Sequence, residues 1–344
     1  MAVTIKHIAQ AAGVSASTVS RALAGSGLLP PSTRRRIERA ADELGYRPNR
    51  VARALSTGRT GNVGLLVPDL LNPYFAAVVK GVQARARESD HWVFLTDTDE
   101  DPAVEADRVR ALVEQVDGVV LCSPRTGEPQ LRVLARETPM VMLNRRAAGI
   151  PSVTTDNGEG IRQLVAHLVA LGHERVAYVA GPRASWFNRD RLRLLRTATA
   201  AAGVGLVECG NVEPRFAGGV AAADQVLGAG VTAVVAYNDV MALGLLNAFG
   251  ARGVEVPGRM SVVGFDDILP AGLASPALTT VGRPGEEAGR AGMDLLLRLM
   301  ADRRSLPAPA PEPVAPLVVR GSTGPARRRG NGNGPVPAPR PARH

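Results

Sequence analysis

Thr4-Ile5-Lys6-His7-Ile8-Ala9-Gln10-Ala11-Ala12-Gly13-Val14-Ser15-Ala16-Ser17-Thr18-Val19-Ser20-Arg21-Ala22-Leu23 reads as two short helices joined by a tight turn. Thr4 suits the N-cap of the first helix, where a hydroxyl can accept from an orphan N–H of the first turn. Ile5, Ile8, Ala9 and Ala12 then fall on one face. Gly13 can take the left-handed conformation that ends a helix. Ser15 caps the second helix. Val19 and Leu23 turn inward, while Ala16, Ser17, Ser20 and Arg21 face out. A short helix of small residues with an outward Arg, set after a Gly turn, suits the major groove of DNA.

Outward from this stretch, Ser32 to Leu44 reads as a third helix, with Ile37, Ala40, Ala41 and Leu44 at core spacing and Arg34, Arg35, Arg36 and Arg39 around it. Gly45 ends it, and Tyr46 and Pro48 lead away. Asn49 to Leu55 is one more helical segment of barely two turns, marginal alone in water. Residues 1–60 carry Lys6 and nine arginines against Glu38, Asp42 and Glu43, a net charge of +7. Residues 324–344 carry five arginines and no acid. The total for 344 residues is +9, so the body between them is mildly acidic. A basic head on an acidic body points to a polyanionic partner for the head.

A different texture starts at Asn62. Residues 63–67, 92–95, 118–121 and 140–143 are short, almost unbroken apolar runs, each about the length of a strand buried on both faces. Helical stretches such as 76–88 and 103–116 lie between them. The pattern repeats with strands at 176–179, 233–236 and 261–264, and a helix follows near 285–301. Alternating β and α segments predict doubly wound parallel sheets in two similar lobes, with ligands bound at the carboxyl ends of the strands. From Leu306 Pro and Ala dominate, and 324–344 is a basic, Pro- and Gly-rich segment expected to be a disordered, solvated tail.

The composition excludes several classes. Cys122 and Cys209 are isolated, with neither metal spacing nor a disulfide framework, and read as small buried apolar residues. The chain lacks a phosphate-binding Gly-x-x-x-x-Gly-Lys loop, a Gly-x-Gly-x-x-Gly turn between strand and helix, and a His-Glu-x-x-His pair. His7, His91, His167, His173 and His344 are scattered, and His173 after Gly172 reads as a structural turn residue. No catalytic site, cofactor or metal is expected. No run approaches the 18 apolar residues of a membrane span and no signal core opens the chain, so a cytoplasmic protein is expected.

Several ordered motifs carry a resemblance. The head shows Val3-Thr4-Ile5, Ile8-Ala9, Ala12-Gly13-Val14-Ser15, Thr18-Val19-Ser20-Arg21, Thr33-Arg34, Gly45-Tyr46 and Pro48-Asn49. The body shows Asn72-Pro73-Tyr74-Phe75, Leu171-Gly172-His173, Gly181-Pro182, Tyr237-Asn238-Asp239, Gly264-Phe265-Asp266-Asp267 and Pro276-Ala277-Leu278-Thr279-Thr280-Val281. Over roughly residues 3–323 the chain resembles LacI/GalR-type transcriptional regulators. The resemblance implies an all-α helix-turn-helix DNA-binding head (1–48), a hinge helix and linker (49–61), and an α/β periplasmic-binding-protein-like effector and dimerisation domain of two doubly wound lobes (62–323). It also implies a homodimer, most often a repressor, that grips palindromic double-stranded operator DNA.

By that resemblance Ala16, Ser17 and Arg21 read bases. The chemistry agrees, because Arg can bond two acceptors of guanine, Ser can donate or accept, and Ala can touch a thymine methyl. Ser15, Thr18, Ser20, Thr33 and Arg34 suit phosphates, which position without specifying; local capping competes as a role for Ser15 and Thr18, and Thr4 is counted with the DNA-binding residues. The hinge residues Asn49, Arg50, Ala52, Arg53 and Leu55 are expected to order on DNA, with Leu55 wedged into a base step of the minor groove. A sugar-like small-molecule effector is expected between the lobes, changing their packing and so the spacing of the paired hinges. Asp69, Asn72, Tyr74, Phe75, Ser185, Phe187, Arg191, Asn238 and Asp266 are the candidates to hold it, with Asp239 either lining the same mouth or capping the helix that follows. Three departures stand out. Val212 follows Gly210-Asn211 where an aromatic is usual, with Phe216 in a shifted register. Leu194 replaces a usual Gly, and Pro30 a usual capping Ser. The rival readings are an enzyme and a sugar-transport binding protein. The Pro-rich end excludes a tetramerising heptad helix.

Overall fold

A computed structural model describes residues 3–23, 29–46, 58–302 and 313–327. The chain divides into two compact units, Met1–Gly61 and Asn62–His344.

The first unit holds α1 (Ile5–Ala12), α2 (Ala16–Leu23) and α3 (Pro31–Glu43). Ile8, Val19 and Ile37, one from each helix, are fully buried, and Ala9, Ala12, Ala22, Ala40 and Ala41 close around them. Such small residues let three short helices approach closely around a few branched side chains. Thr4 is the extended N-cap of α1, and its N–H donates to His7 Nδ1 at 3.2 Å. Gly13 takes the left-handed conformation, φ 61° and ψ 39°, which lets the N–H groups of Gly13 and Val14 return to the carbonyls of Gln10 and Ala9. Ser15 Oγ accepts from the Thr18 N–H at 3.1 Å, the capping bond its position predicts. Pro31 opens α3 at a position that needs no N–H.

Two details differ from the periodic reading. Ala22 is buried and Leu23 only partly so. Leu44 is 38% exposed, because α3 ends at Glu43 and Leu44 is already its C-cap. Gly45, at φ 62°, turns the chain so that Tyr46 packs on the head core in its place.

The second unit contains two sheets. One has the order β2-β1-β3-β4-β5, all parallel, from β1 (Asn62–Val67), β2 (Trp92–Asp97), β3 (Val119–Cys122), β4 (Met140–Leu143) and β5 (Ser152–Val153). The other has the order β11-β10-β9-β8-β6-β7, from β6 (Arg175–Ala180), β7 (Gly205–Asn211), β8 (Ala233–Ala236), β9 (Ser261–Asp266), β10 (Thr279–Gly282) and β11 (Leu317–Val318). It is parallel except for β11. The helices of this unit are α4 (Pro73–Glu88), α5 (Pro102–Val113), α6 (Glu128–Glu137), α7 (Asn157–Ala170), α8 (Trp186–Ala201), α9 (Phe216–Gly228), α10 (Asp239–Ala251), α11 (Leu269–Leu273) and α12 (Gly285–Ala301). The central strands of both sheets are buried throughout, which is why they read as unbroken apolar runs.

The lobes are interleaved along the chain. After β10 the chain leaves the second sheet, and α12 packs on α4 of the first lobe. At that crossing Gly81 lies so close to α12 that a Cβ would sit 2.0 Å from the Glu286 carbonyl oxygen. Gly289 is the reciprocal contact, where a Cβ would sit 2.2 Å from the Val78 oxygen. β11 then rejoins the second sheet.

The segment beginning at Gly324, expected as tail, is packed as far as Arg327. The Gly324 carbonyl oxygen lies 3.1 Å from His173 Nε2, the Ala326 N–H donates to the Leu171 oxygen, and Arg327 pairs with Glu255 at 3.1 Å. A buried imidazole needs polar partners, and this backbone supplies one. Among the described residues no helix is long and apolar enough to cross a membrane.

Candidate functional site

On the head, α2 sets Ala16, Ser17, Ser20 and Arg21 in an exposed row, opposite buried Val19 and Ala22. The Ser15 hydroxyl lies 2.8 Å from both the Ser17 and Thr18 hydroxyls, a polar cluster at the helix start. Arg21 Nε donates to the Ser17 carbonyl at 3.3 Å, so the side chain lies back along its own helix. Thr33 and Arg34 are half-buried in the first turn of α3. Asn49, Arg50, Ala52, Arg53 and Leu55 lie outside the described residues.

In the second unit the carboxyl ends of both sheets meet at a cleft. Asn72, Phe75, Glu100 and Ser123 line it from the first lobe, and Phe187, Arg191, Tyr237, Asn238, Asp266 and Arg283 from the second lobe and its return crossing. The cavity they enclose is only about 10 Å³. Two guanidinium groups crowd it. Arg191 is 1% exposed and stacks 3.6 Å from the Phe265 ring centroid, with Phe187 at 4.6 Å and Tyr237 at 5.2 Å. Its Nη1 donates to the Tyr237 carbonyl, while Nε and Nη2 have no hydrogen-bond partner. Arg283 pairs with Asp266 at 2.8 Å, donates to the Tyr74 hydroxyl at 2.6 Å, and stacks on Tyr74 and Phe187.

The electrostatics follow from this burial. Burial pushes the Arg191 guanidinium below its ordinary pKa, with Tyr178 and Asp266 opposing. Burial also works against the Arg283 charge, but Tyr74 and Asp266 outweigh it and hold its pKa up. Asp266 is raised by burial against the pull of both arginines. Behind it, Asp239 is raised well above the carboxylate range by burial and by the Asp266 charge. Its oxygens accept from the Thr280 hydroxyl and the Ile268 N–H. Burial lifts the Tyr74 phenol to about 12, so it is a neutral donor, to Asn144 at 3.1 Å.

The expected cleft residues take different places. Asn72, Phe75, Phe187, Arg191, Asn238 and Asp266 line the pocket. Asn72 also caps α4, accepting from the Tyr74 N–H, and Asn238 caps α10, accepting from the Met241 N–H at 2.8 Å. Asp239 is thus the first residue of α10 rather than its cap. Phe75 belongs to the core as well, edge-on to Tyr74 at 5.4 Å. Ser185 sits behind the pocket as the cap of α8, its hydroxyl 3.1 Å from that of Tyr237. Asp69 stands at the mouth, paired at 2.9 Å with Arg215 of the other lobe, which also pairs with Asp99. That outer trough, about 380 Å³, takes in Val212, while Phe216 is exposed at the start of α9. Arg283 is the principal cleft residue that the sequence reading passed over. It directly follows β10, whose Thr-Thr-Val-Gly run was not read as a strand. Read as one, it would have put Arg283 at a carboxyl end, where ligands bind.

Comparison with known proteins agrees with this architecture. Residues 4–49 match the family described as "Bacterial regulatory proteins, lacI family", and residues 165–323 match "Periplasmic binding protein-like domain". The chain is 32% identical to the HTH-type transcriptional regulator DegA of Bacillus subtilis (strain 168), over 84% of this chain and 89% of that one. It is 33% identical to the regulator GalR of Escherichia coli (strain K12), over 88% and 91% respectively. Among solved structures, the lac repressor dimer bound to operator and the anti-inducer ONPF superposes with TM-score 0.81 at 27% identity, covering 94% of this chain and all of that one. A complex of the regulator CelR with cellobiose gives TM-score 0.67 at 32% identity, with 93% and 99% covered. A helix-turn-helix head followed by a two-lobed ligand-binding fold defines a transcriptional regulator, not an enzyme. The chain belongs to the lacI family of bacterial regulatory proteins.

Proposed function

We propose that the protein is a cytoplasmic repressor that binds a palindromic operator as a homodimer and is released or recruited by a small sugar-like effector. The observation that carries the DNA half is the exposed row Ala16, Ser17, Ser20 and Arg21 on a helix held by a Gly turn and a Ser cap. Ala16, Ser17 and Arg21 read base edges; Thr4, Ser15, Thr18, Ser20, Thr33 and Arg34 set the register on phosphates; Asn49 to Leu55 form the hinge, with Leu55 as the minor-groove wedge. The structural likeness to an operator-bound repressor dimer supports this reading.

Two exposed apolar surfaces support the dimer. Leu269 and Leu273 stand one helical turn apart on α11, 77% and 76% exposed. Trp92 and Phe94 share a face of the edge strand β2, with Trp92 60% exposed.

The cleft between the lobes takes the effector, with Asp266 and Arg191 as its principal polar contacts and Phe75 and Phe187 as apolar walls. Entry requires the lobes or the arginines to move, because the cavity, about 10 Å³, is no larger than a single water needs. The Asp69–Arg215–Asp99 bridge spans the lobes and opposes their opening. The ligand shifts operator affinity only through its preference for one lobe arrangement. Gel retardation of the chain's own upstream DNA, with and without residues 1–60, tests the reading. Retardation must vanish on deletion, whereas a transport-type binding protein is indifferent to it.

A further inference from the structure

We propose that the cleft selects an anion, a carboxylate-bearing polyol of the sugar-acid class, over a neutral sugar. The inference rests on the reading of the cleft as the effector site. Two cations face this small buried space, and their charges are not equally balanced. The Arg283 charge is met by Asp266, its ion-pair partner at 2.8 Å. Glu100, the other acid on the wall, is committed to Arg125 through both its oxygens. Asp239 is turned to Thr280 and the Ile268 N–H behind Asp266. Arg191 forms no ion pair among the described residues and is almost fully enclosed. Aromatic faces surround it, which eases the charge but accepts no hydrogen bond.

The orientation of its donors sharpens the assignment. Nη1 is used by the Tyr237 carbonyl, and the two orphans are Nε and Nη2. Those two N–H groups lie on one edge of the guanidinium plane and point the same way. That edge matches the two oxygens of a carboxylate, the bidentate geometry for which guanidinium is suited. A pair of hydroxyls can accept from the same fork but leaves Arg191 without an ion-pair partner. A carboxylate satisfies both donors and neutralises the charge. Asp266 and Asn72 remain to meet the hydroxyls of the same ligand, whereas Asn238 is held by the Met241 N–H and the Pro214 carbonyl.

The test uses the full chain and matched probes: D-glucose with D-gluconate and glucose 6-phosphate, and D-galactose with D-galactonate and galactose 6-phosphate. Thermal shift ranks them and calorimetric titration gives affinities. The expected result is that the carboxylate of at least one trio binds about tenfold or more tightly than its neutral twin, and that Arg191→Lys, folded by circular dichroism, loses most of that preference because a point charge lacks the fork. Equal or tighter binding of the neutral sugars overturns the anion assignment while leaving the cleft as the effector site. Binding of the phosphates alone overturns the carboxylate assignment. No response to any probe, in protein that still retards its upstream DNA, goes against the effector reading itself.

Discussion

A single buried carboxylate, Asp266, organises the cleft. It holds Arg283 at 2.8 Å, and Arg283 in turn bonds Tyr74 of the opposite lobe. Removing one partner of a buried pair leaves the other charge uncompensated, which costs about 3–5 kcal/mol. Asp266→Ala should therefore lower unfolding free energy by about that amount in urea titrations, and a D266L/R283M double variant should recover most of it. Recovery of none would mean the pair is not the cause. On the head, Arg21 is exposed and free of acidic partners among the described residues. Arg21→Ala should weaken operator binding by about 1–3 kcal/mol and relax the preference at one base pair per half-site, leaving bulk DNA binding nearly unchanged. A uniform loss on all DNA would mark Arg21 as a phosphate contact instead. The roles of Ser15 and Asn238 show how a polar residue can be visible in sequence and its duty still ambiguous. Both cap helices while standing where a ligand could also be met.

At the scale of elements, the crossing of α4 and α12 depends on absent side chains. Gly81→Ala places a methyl group 2.0 Å from the Glu286 carbonyl, so the helices must separate. The expected loss is about 1–3 kcal/mol in chemical denaturation, with Gly228→Ala, which meets nothing within 4 Å, as the harmless control. His173 ties the turn after α7 to Thr232 at 2.7 Å, Ser261 at 3.1 Å and the Gly324 carbonyl. Burial pushes its pKa below the ordinary 6.5, and His167 is shifted the same way. As pH falls through 6.5 the unfolded chain takes up the proton first, so stability that is full above 6.5 declines below it. Urea midpoints at pH 7.5 and 5.5 should show this decline in the native sequence and a smaller one in His173→Gln. Element recognition failed where burial and side-chain type part company. β7 is an edge strand with four of its seven residues exposed, so it carries no apolar run. β10 is fully buried yet built on two threonines, whose hydroxyls bond Asp239, Arg320 and Thr323. Missing β10 hid Arg283, and with it the charge balance of the cleft.

For the molecule as a whole, the proposed repressor needs two heads on one operator, and the exposed leucines of α11 are the readiest surface for pairing. Replacing Leu269 and Leu273 together by Glu should convert a dimer to a monomer in sedimentation equilibrium. Operator affinity should fall by at least about tenfold, because the second half-site is no longer reached at high effective concentration. A variant that stays dimeric moves the interface elsewhere, with the Trp92 edge as the next surface to vary.

Local chemistry was legible along the chain because it depends on neighbours in sequence. A Gly turn, a Ser cap, three-and-four spacing and short apolar runs specify helices, their boundaries and buried parallel strands before any long-range contact forms. They were enough for the three-helix head and the two doubly wound lobes, while Arg191 and Asp266 were placed in the cleft by the family resemblance. Packing decided the rest. That α12 returns to the first lobe, that Ser185 stands behind the pocket, and that Arg191 is left with two unmet donors on one edge depend on groups far apart in sequence. Burial and charge pairing belong to the assembled fold, and no local pattern encodes which partner a buried guanidinium will lack.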